Sequence, residues 1–131
     1  MGVERMILIF GGAYQGKLAY ALERFRAAKN DVFTCGPDDT GLPGNRKIIY
    51  ELDKWILALL KADIDVDQAM GRFIDGNKDA IVICNDISCG VVPVDPLLRR
   101  WREAAGRSMS MLSSASDEVI RLFCGIATRI K

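Results

Sequence analysis

Histidine is absent from this chain. Any mechanism that uses imidazole as base, nucleophile or metal ligand is therefore excluded within it. The cysteines are few and poorly spaced for metal: Cys35, Cys84, Cys89 and Cys124 form no C-x-x-C pair, and no histidine can complete a zinc set. Small buried thiols at strand ends are the plain reading of Cys35, Cys84 and Cys124, and no metal ligands are assigned. A charge of one sign is lacking too. The 18 basic and 17 acidic residues leave a net charge of +1, so composition makes no case for nucleic acid as a partner. No apolar run is long enough to span a membrane, and the first ten residues have no signal-peptide pattern. The expectation is a cytoplasmic chain with no membrane partner.

What remains is compact and apolar. The 131 residues are 50% hydrophobic, enough for one domain with a real core, taken as residues 1–131. Met6, Ile7, Leu8, Ile9 and Phe10 form an unbroken apolar run, which predicts a strand buried on both faces. Gly11, Gly12, Ala13, Tyr14, Gln15, Gly16 and Lys17 follow, and then Leu18, Leu22 and Phe25 recur at helical spacing. Strand, glycine loop and helix are the setting of a phosphate-binding loop. Glycines let backbone N–H groups approach an anion, the helix start adds partial positive charge, and the Lys17 ammonium can reach terminal phosphates. The pattern G-x-x-x-x-G-K-[ST] is met at Gly11, Gly16 and Lys17 but fails at Leu18. Leucine cannot supply the hydroxyl that holds Mg²⁺. A plain glycine turn between a strand and a helix is the alternative.

Further elements follow the same logic. A helix is predicted over residues 17–29, stopped at Asn30, and a short strand over residues 31–35; with the first strand they make a βαβ unit and imply a mostly parallel sheet. Residues 36–45 are rich in Gly and Pro and read as a loop, either facing a substrate or simply solvated. Residues 46–62 show helical spacing at Ile49, Leu52, Trp55, Ile56, Leu59 and Leu60. Asp65 caps a helix that runs through Ile74 and that Gly76 ends. Residues 80–84 form another buried strand, followed by Asn85 and Asp86. Asp86 either serves a phosphate site, through metal-bound water or by orienting a nucleophile, or closes the strand in an Asx turn. Asp95 and Pro96 begin a helix reaching about residue 115. Its Arg99, Arg100, Arg102 and Arg107 contact phosphates or a neighbouring subunit, or form a solvated face. A last strand is expected over residues 118–124, and residues 125–131 as a tail.

Two segments together resemble one family. Gly11, Gly12, Ala13, Gly16 and Lys17 are similar to the Gly-Gly-Ala-Arg-Ser-Gly-Lys-Ser loop of the bifunctional adenosylcobinamide kinase / adenosylcobinamide-phosphate guanylyltransferases. That family also carries Asn-Glu-Val-Gly-x-Gly-Ile-Val-Pro, then Arg-x-Phe-Arg-Asp-x-x-Gly-Arg, then Ala-Asp-Glu-Val. The counterparts here begin at Asn85, Arg99 and Ser116, and the Trp55, Leu59, Leu60 helix resembles the family's Trp-Leu-x-x-Leu-Leu. The resemblance implies a RecA-like P-loop NTPase fold with a mostly parallel sheet flanked by helices. It implies ATP or GTP bound at residues 11–18, adenosylcobinamide as corrinoid partner, a role in cobalamin biosynthesis, and a homo-oligomer, a trimer. Departures follow the same alignment. The segment holding the guanylylated histidine shrinks to residues 36–45, Leu18 replaces the metal-binding hydroxyl, and Tyr50 stands where the family has an acid, beside Glu51. Guanylyl transfer through a histidine is lost, the Mg²⁺ contribution is doubtful, and the kinase step is weakened or lost, with Lys17 and Asp86 as its remaining candidates and Asp86 or Glu51 to supply the missing metal contact. Two readings stay open beside it, a non-catalytic paralogue with an assembly or regulatory role and a kinase for another small alcohol.

Overall fold

The structure, a computed structural model, describes residues 5–12, 16–87 and 94–131. Strand β1 (Ile7–Gly11) lies inside a six-stranded sheet with β2 (Val32–Thr34), β3 (Ile48–Tyr50), β4 (Ile81–Asn85), β5 (Glu118–Phe123) and β6 (Ile126–Arg129). Their order is β2-β3-β4-β1-β5-β6. Every pairing is parallel except that of β5 with β6. Leu8 sits between Val82 and Val119, so β1 has a strand on either side.

The apolar runs reflect two covered faces. Side chains alternate along a strand. Met6, Leu8, Val82 and Val119 face helices α2 (Leu52–Lys61), α3 (Val66–Gly76) and α4 (Pro96–Ala115), where Trp55, Phe73 and Leu112 complete the core. Ile7, Ile9, Ile81, Ile83 and Ile120 face the other way, onto Ala21, Leu18 and Leu22 of α1 (Lys17–Arg24). A sheet sandwiched this way leaves no polar face, hence the lack of alternation in β1 and β4.

The expected caps are present. Asp65 accepts from the Gln68 N–H at 3.1 Å, and Asp95 accepts from the Leu97 N–H at 2.8 Å ahead of Pro96. Helix α4 runs over 96–115 as expected.

Three expectations need correction. The helix over 46–62 begins as strand β3. Ile48 and Ile49, both fully buried, pack one on each face of the sheet, and Glu51 at φ 57° separates β3 from α2. Their β-branched side chains suit a sheet, which the helical spacing of the following residues concealed. The helix over 17–29 ends at Arg24. Arg26 enters the left-handed region at φ 52° and the Ala27 N–H reaches back to the Leu22 carbonyl at 3.0 Å, so the chain stops there without a glycine. The tail over 125–131 contains β6, turned back onto β5 through Cys124 and Gly125, both at positive φ. Among the described residues no helix is long and apolar enough to cross a membrane.

Candidate functional site

Parallel strands present ligands at their C-terminal edge, where helix starts and loop N–H groups converge. The candidate residues gather at that edge, after β1, β3 and β4. Gly11 ends β1 with φ 152°, and a Cβ there would collide with the Leu122 carbonyl oxygen of β5. Glycine is thus required by the sheet itself. Gly16 takes the left-handed conformation at φ 83° as N-cap of α1, and it brings no side chain to the helix start. Ala13, Tyr14 and Gln15 lie outside the described residues.

Lys17 is 5% exposed, although it is a lysine in the first turn of a helix. Its Nζ donates to the Gly12 carbonyl oxygen at 2.6 Å, tying helix to loop. Burial pushes its ammonium below the ordinary lysine pKa, while the nearby Asp53, Cys84 and Glu51 act in the opposite direction. A partly desolvated cation at the loop base is chemically suited to an anion that would restore its charge balance.

Asp53 is the residue that sequence reasoning missed. It is 1% exposed in the first turn of α2. Its carboxylate accepts from the Asn85 main-chain N–H at 3.0 Å and from the Asn85 side-chain amide at 3.4 Å. Its own carbonyl accepts from the Trp101 indole at 2.8 Å, which binds α4 to α2. One signal was available: Asp53 lies three and seven residues before the buried Ile56 and Leu60, so it shares their inward face. A carboxylate on an apolar face needs a partner in the fold, and only the fold shows Asn85 and Lys17 nearby.

The two positions at which metal support was doubtful are packed against hydrophobic side chains. Leu18 and Tyr50 both lie on the α1 layer with Ile7, Ile9 and Ile83. Asp86 lies at the end of β4, and its N–H donates to the Gly11 carbonyl at 2.8 Å, so it neighbours the loop. Among the described residues no three acidic or cysteine side chains are gathered to hold a metal ion. Burial raises the Cys84 thiol well above its usual range, with Asp53 and Asp86 adding to it, and pushes Cys35 up to about 12. Both remain inert thiols at neutral pH; Cys124, expected to be buried at a strand end, is instead exposed because β5 stops at Phe123 and Cys124 falls in the turn to β6, and Cys89 lies outside the described residues.

The other candidates separate from this edge. Arg107 pairs with Asp67 at 3.3 Å on the surface, joining α4 to α3. Arg99 and Arg100 are exposed, and Arg102 buries one guanidinium nitrogen without a hydrogen-bond partner. Residues 36–45 are held against α2: Asp38 pairs with Lys61 at 2.9 Å, and the Thr40 carbonyl accepts from the Trp55 indole at 3.4 Å.

The family model of cobinamide kinase / cobinamide phosphate guanyltransferase matches residues 46–130. This chain belongs to that family. The match runs from β3 through β6 and includes Asp53, Asn85 and Asp86, while the glycine loop precedes it. The sheet is of the α/β class, mostly parallel with helices on both faces and with β4 between β1 and β3. The bifunctional adenosylcobalamin biosynthesis protein CobU of Salmonella typhimurium is 37% identical over 51 residues, covering 39% of this chain. That of Escherichia coli K12 is 35% identical over 51 residues. The aligned segment spans 28% of each relative's length. Among solved structures, the flagellar accessory protein FlaH of Methanocaldococcus jannaschii is 15% identical with a TM-score of 0.48, over 98% of this chain and 78% of that one.

Proposed function

We propose that this cobinamide kinase relative binds the phosphates of ATP or GTP at residues 11–18, with Lys17 as the phosphate cation, in cobalamin biosynthesis. The observation that carries this reading is the buried Lys17 ammonium. It is bonded to the loop carbonyl of Gly12 and lies in the field of Asp53, at the edge where the family's helix and strand ends meet. A cation held there with reduced solvation gains more from a phosphate than a solvated one does. The residues fit an anion. They do not fit a tightly held Mg²⁺, because Leu18 and Tyr50 are packed into the α1 layer and the Asp53 carboxylate is engaged by Asn85. A kinase step on adenosylcobinamide is correspondingly weak, with Asp86 or Glu51 as the carboxylate left to support it, and histidine-borne guanylyl transfer has no residue in this chain.

The experiment is a thermal titration with ATP and with GTP, each with and without Mg²⁺. Nucleotide at ten times its Kd adds about 1.4 kcal/mol, a rise of roughly 3–6 °C in a domain of this size. The rise should vanish in Lys17→Ala and depend little on Mg²⁺. No shift at millimolar nucleotide overturns the proposal.

A second reading is favoured by the same packing of Leu18 and Tyr50: a non-catalytic paralogue that binds nucleotide for assembly or regulation. Phosphate transfer to adenosylcobinamide that depends on Lys17 and increases in Leu18→Ser would refute it.

A further inference from the structure

Strand β4 outruns its neighbour β3. Their pairing reaches Ile49 opposite Val82, and the chain then turns away from the sheet into α2. The Ile81 N–H donates toward β3, to the Lys47 carbonyl at 2.9 Å. Main-chain direction alternates along a strand, so the Asn85 N–H points to the same side, where no strand remains to accept it. The Asp53 carboxylate takes the strand's place and accepts from it at 3.0 Å. One neutral acceptor would have sufficed for that bond. Asp53 does more, because its second oxygen accepts from the Asn85 side-chain amide at 3.4 Å. A carboxylate can only accept, so the amide nitrogen must face Asp53 and the amide oxygen must face away. Asp53 is itself 1% exposed, and its carbonyl is pinned by the Trp101 indole at 2.8 Å. A side chain held at both ends fixes the group it bonds.

Asn85 stands at the base of the glycine loop. It is in register with Gly11, and the next N–H, that of Asp86, donates to the Gly11 carbonyl at 2.8 Å. Ile81 and Ile83 face α1, so alternation sets Asn85 on the side where Lys17 begins that helix. The residue is half-buried, and one amide N–H is used by Asp53. The other N–H and the amide oxygen have no partner among the described residues.

We propose that Asn85, aimed by Asp53, distinguishes a nucleoside triphosphate from a diphosphate: its second amide N–H donates to the terminal phosphate that Lys17 neutralises. This rests on phosphate binding at residues 11–18. The loop and helix N–H groups hold the phosphates nearest α1. Strand β4 lies about 5 Å to the side of β1, where a group meets the phosphate that projects beyond the loop. Asp53 is then a positioning residue, and Asn85 the one that sets specificity.

The test is calorimetric titration of the whole chain with ATP and with ADP. Wild type should bind ATP about tenfold more tightly, the scale of one hydrogen bond to a charged group. Asn85→Ala keeps the main-chain N–H for Asp53 and should bring the ratio close to one, with the loss mainly in ATP affinity. Asp53→Asn frees the Asn85 amide to turn over and should lower the same ratio, whereas a merely structural support would weaken both nucleotides equally. Lys17→Ala should weaken both. Equal wild-type affinities overturn the proposal and leave phosphate binding standing. An ATP preference that survives Asn85→Ala does the same. If that variant fails to fold, Asn85→Ser, too short to reach the phosphate, serves the same comparison. A wild type that binds neither nucleotide overturns both readings.

Discussion

The electrostatic influence of Asp53 on the Lys17 ammonium, exerted without a direct ion pair between them, gives the sharpest test of the site's physics. Lys17 is 5% exposed and Asp53 1%, and Asp53 is the leading charge that offsets the desolvation of the ammonium. Asp53→Asn keeps the shape and leaves an acceptor for the Asn85 N–H, but it strips the ammonium of that charge. The expected cost is about 1–3 kcal/mol, the range for weakening hydrogen bonds to a buried charged acceptor. Lys17→Met removes the ammonium and its bond to Gly12, at a cost of roughly 1–2 kcal/mol. If the groups interact as the structure indicates, the asparagine costs much less once Lys17 is gone. The double variant should then be more stable than the sum of the single effects predicts, by about 1–3 kcal/mol. Urea melts of the four proteins, with equal slopes as the check on two-state behaviour, measure this coupling. Effects that add to within about 0.5 kcal/mol would refute the charge argument and leave Asp53 as a tie between α2 and Asn85 only.

Other expectations can be checked more simply. The lowered Lys17 pKa means that the unfolded chain binds more protons between the folded value and 10.5. Stability of wild type relative to Lys17→Met should therefore rise with pH through that window, as read by thermal melts in paired buffers. Gly11→Ala should destabilise by about 2–4 kcal/mol, since its Cβ meets the Leu122 carbonyl at a φ reserved for glycine; a melting temperature within a degree of wild type would contradict this. Glu118, 2% exposed, accepts ion pairs from Arg5 at 2.9 Å and Arg24 at 2.8 Å. Because both arginines are partly in water, Glu118→Ala should cost roughly 1–2 kcal/mol, with a reduced effect in high salt. Iodoacetamide at pH 8 should modify Cys124 in the native protein and spare Cys35 and Cys84 until it unfolds, as read by peptide mass spectrometry.

Much of the architecture could be read locally. The runs of β1 and β4, the caps at Asp65 and Asp95, and the helical stripe of α4 are signals contained within a few neighbouring residues. Strand β3 was hidden because Ile48 and Ile49 precede a true helix whose period extends backward over them. Strand β6 was hidden because its residues are all exposed, so no burial pattern marks it. The glycine loop and Lys17 were visible as a motif. Its chemical condition was not, since burial of the lysine depends on how α1 meets the ends of β3 and β4.

By itself, then, the order of residues determined the sandwiched sheet, the glycine loop with its lysine, the absence of imidazole chemistry from this chain, and a leucine at position 18 where the phosphate-loop pattern has Ser or Thr. Tertiary structure decided that Asp53, 32 positions before Asn85, faces inward and holds it, that Leu18 and Tyr50 join the α1 layer, and that β6 is the edge strand among the described residues. The physical reason is range. Propensity, capping and periodicity act over one or two turns and are written locally. The partner of a buried charge or of a strand edge is supplied by chain remote in sequence, and it exists only once the fold has brought that chain alongside.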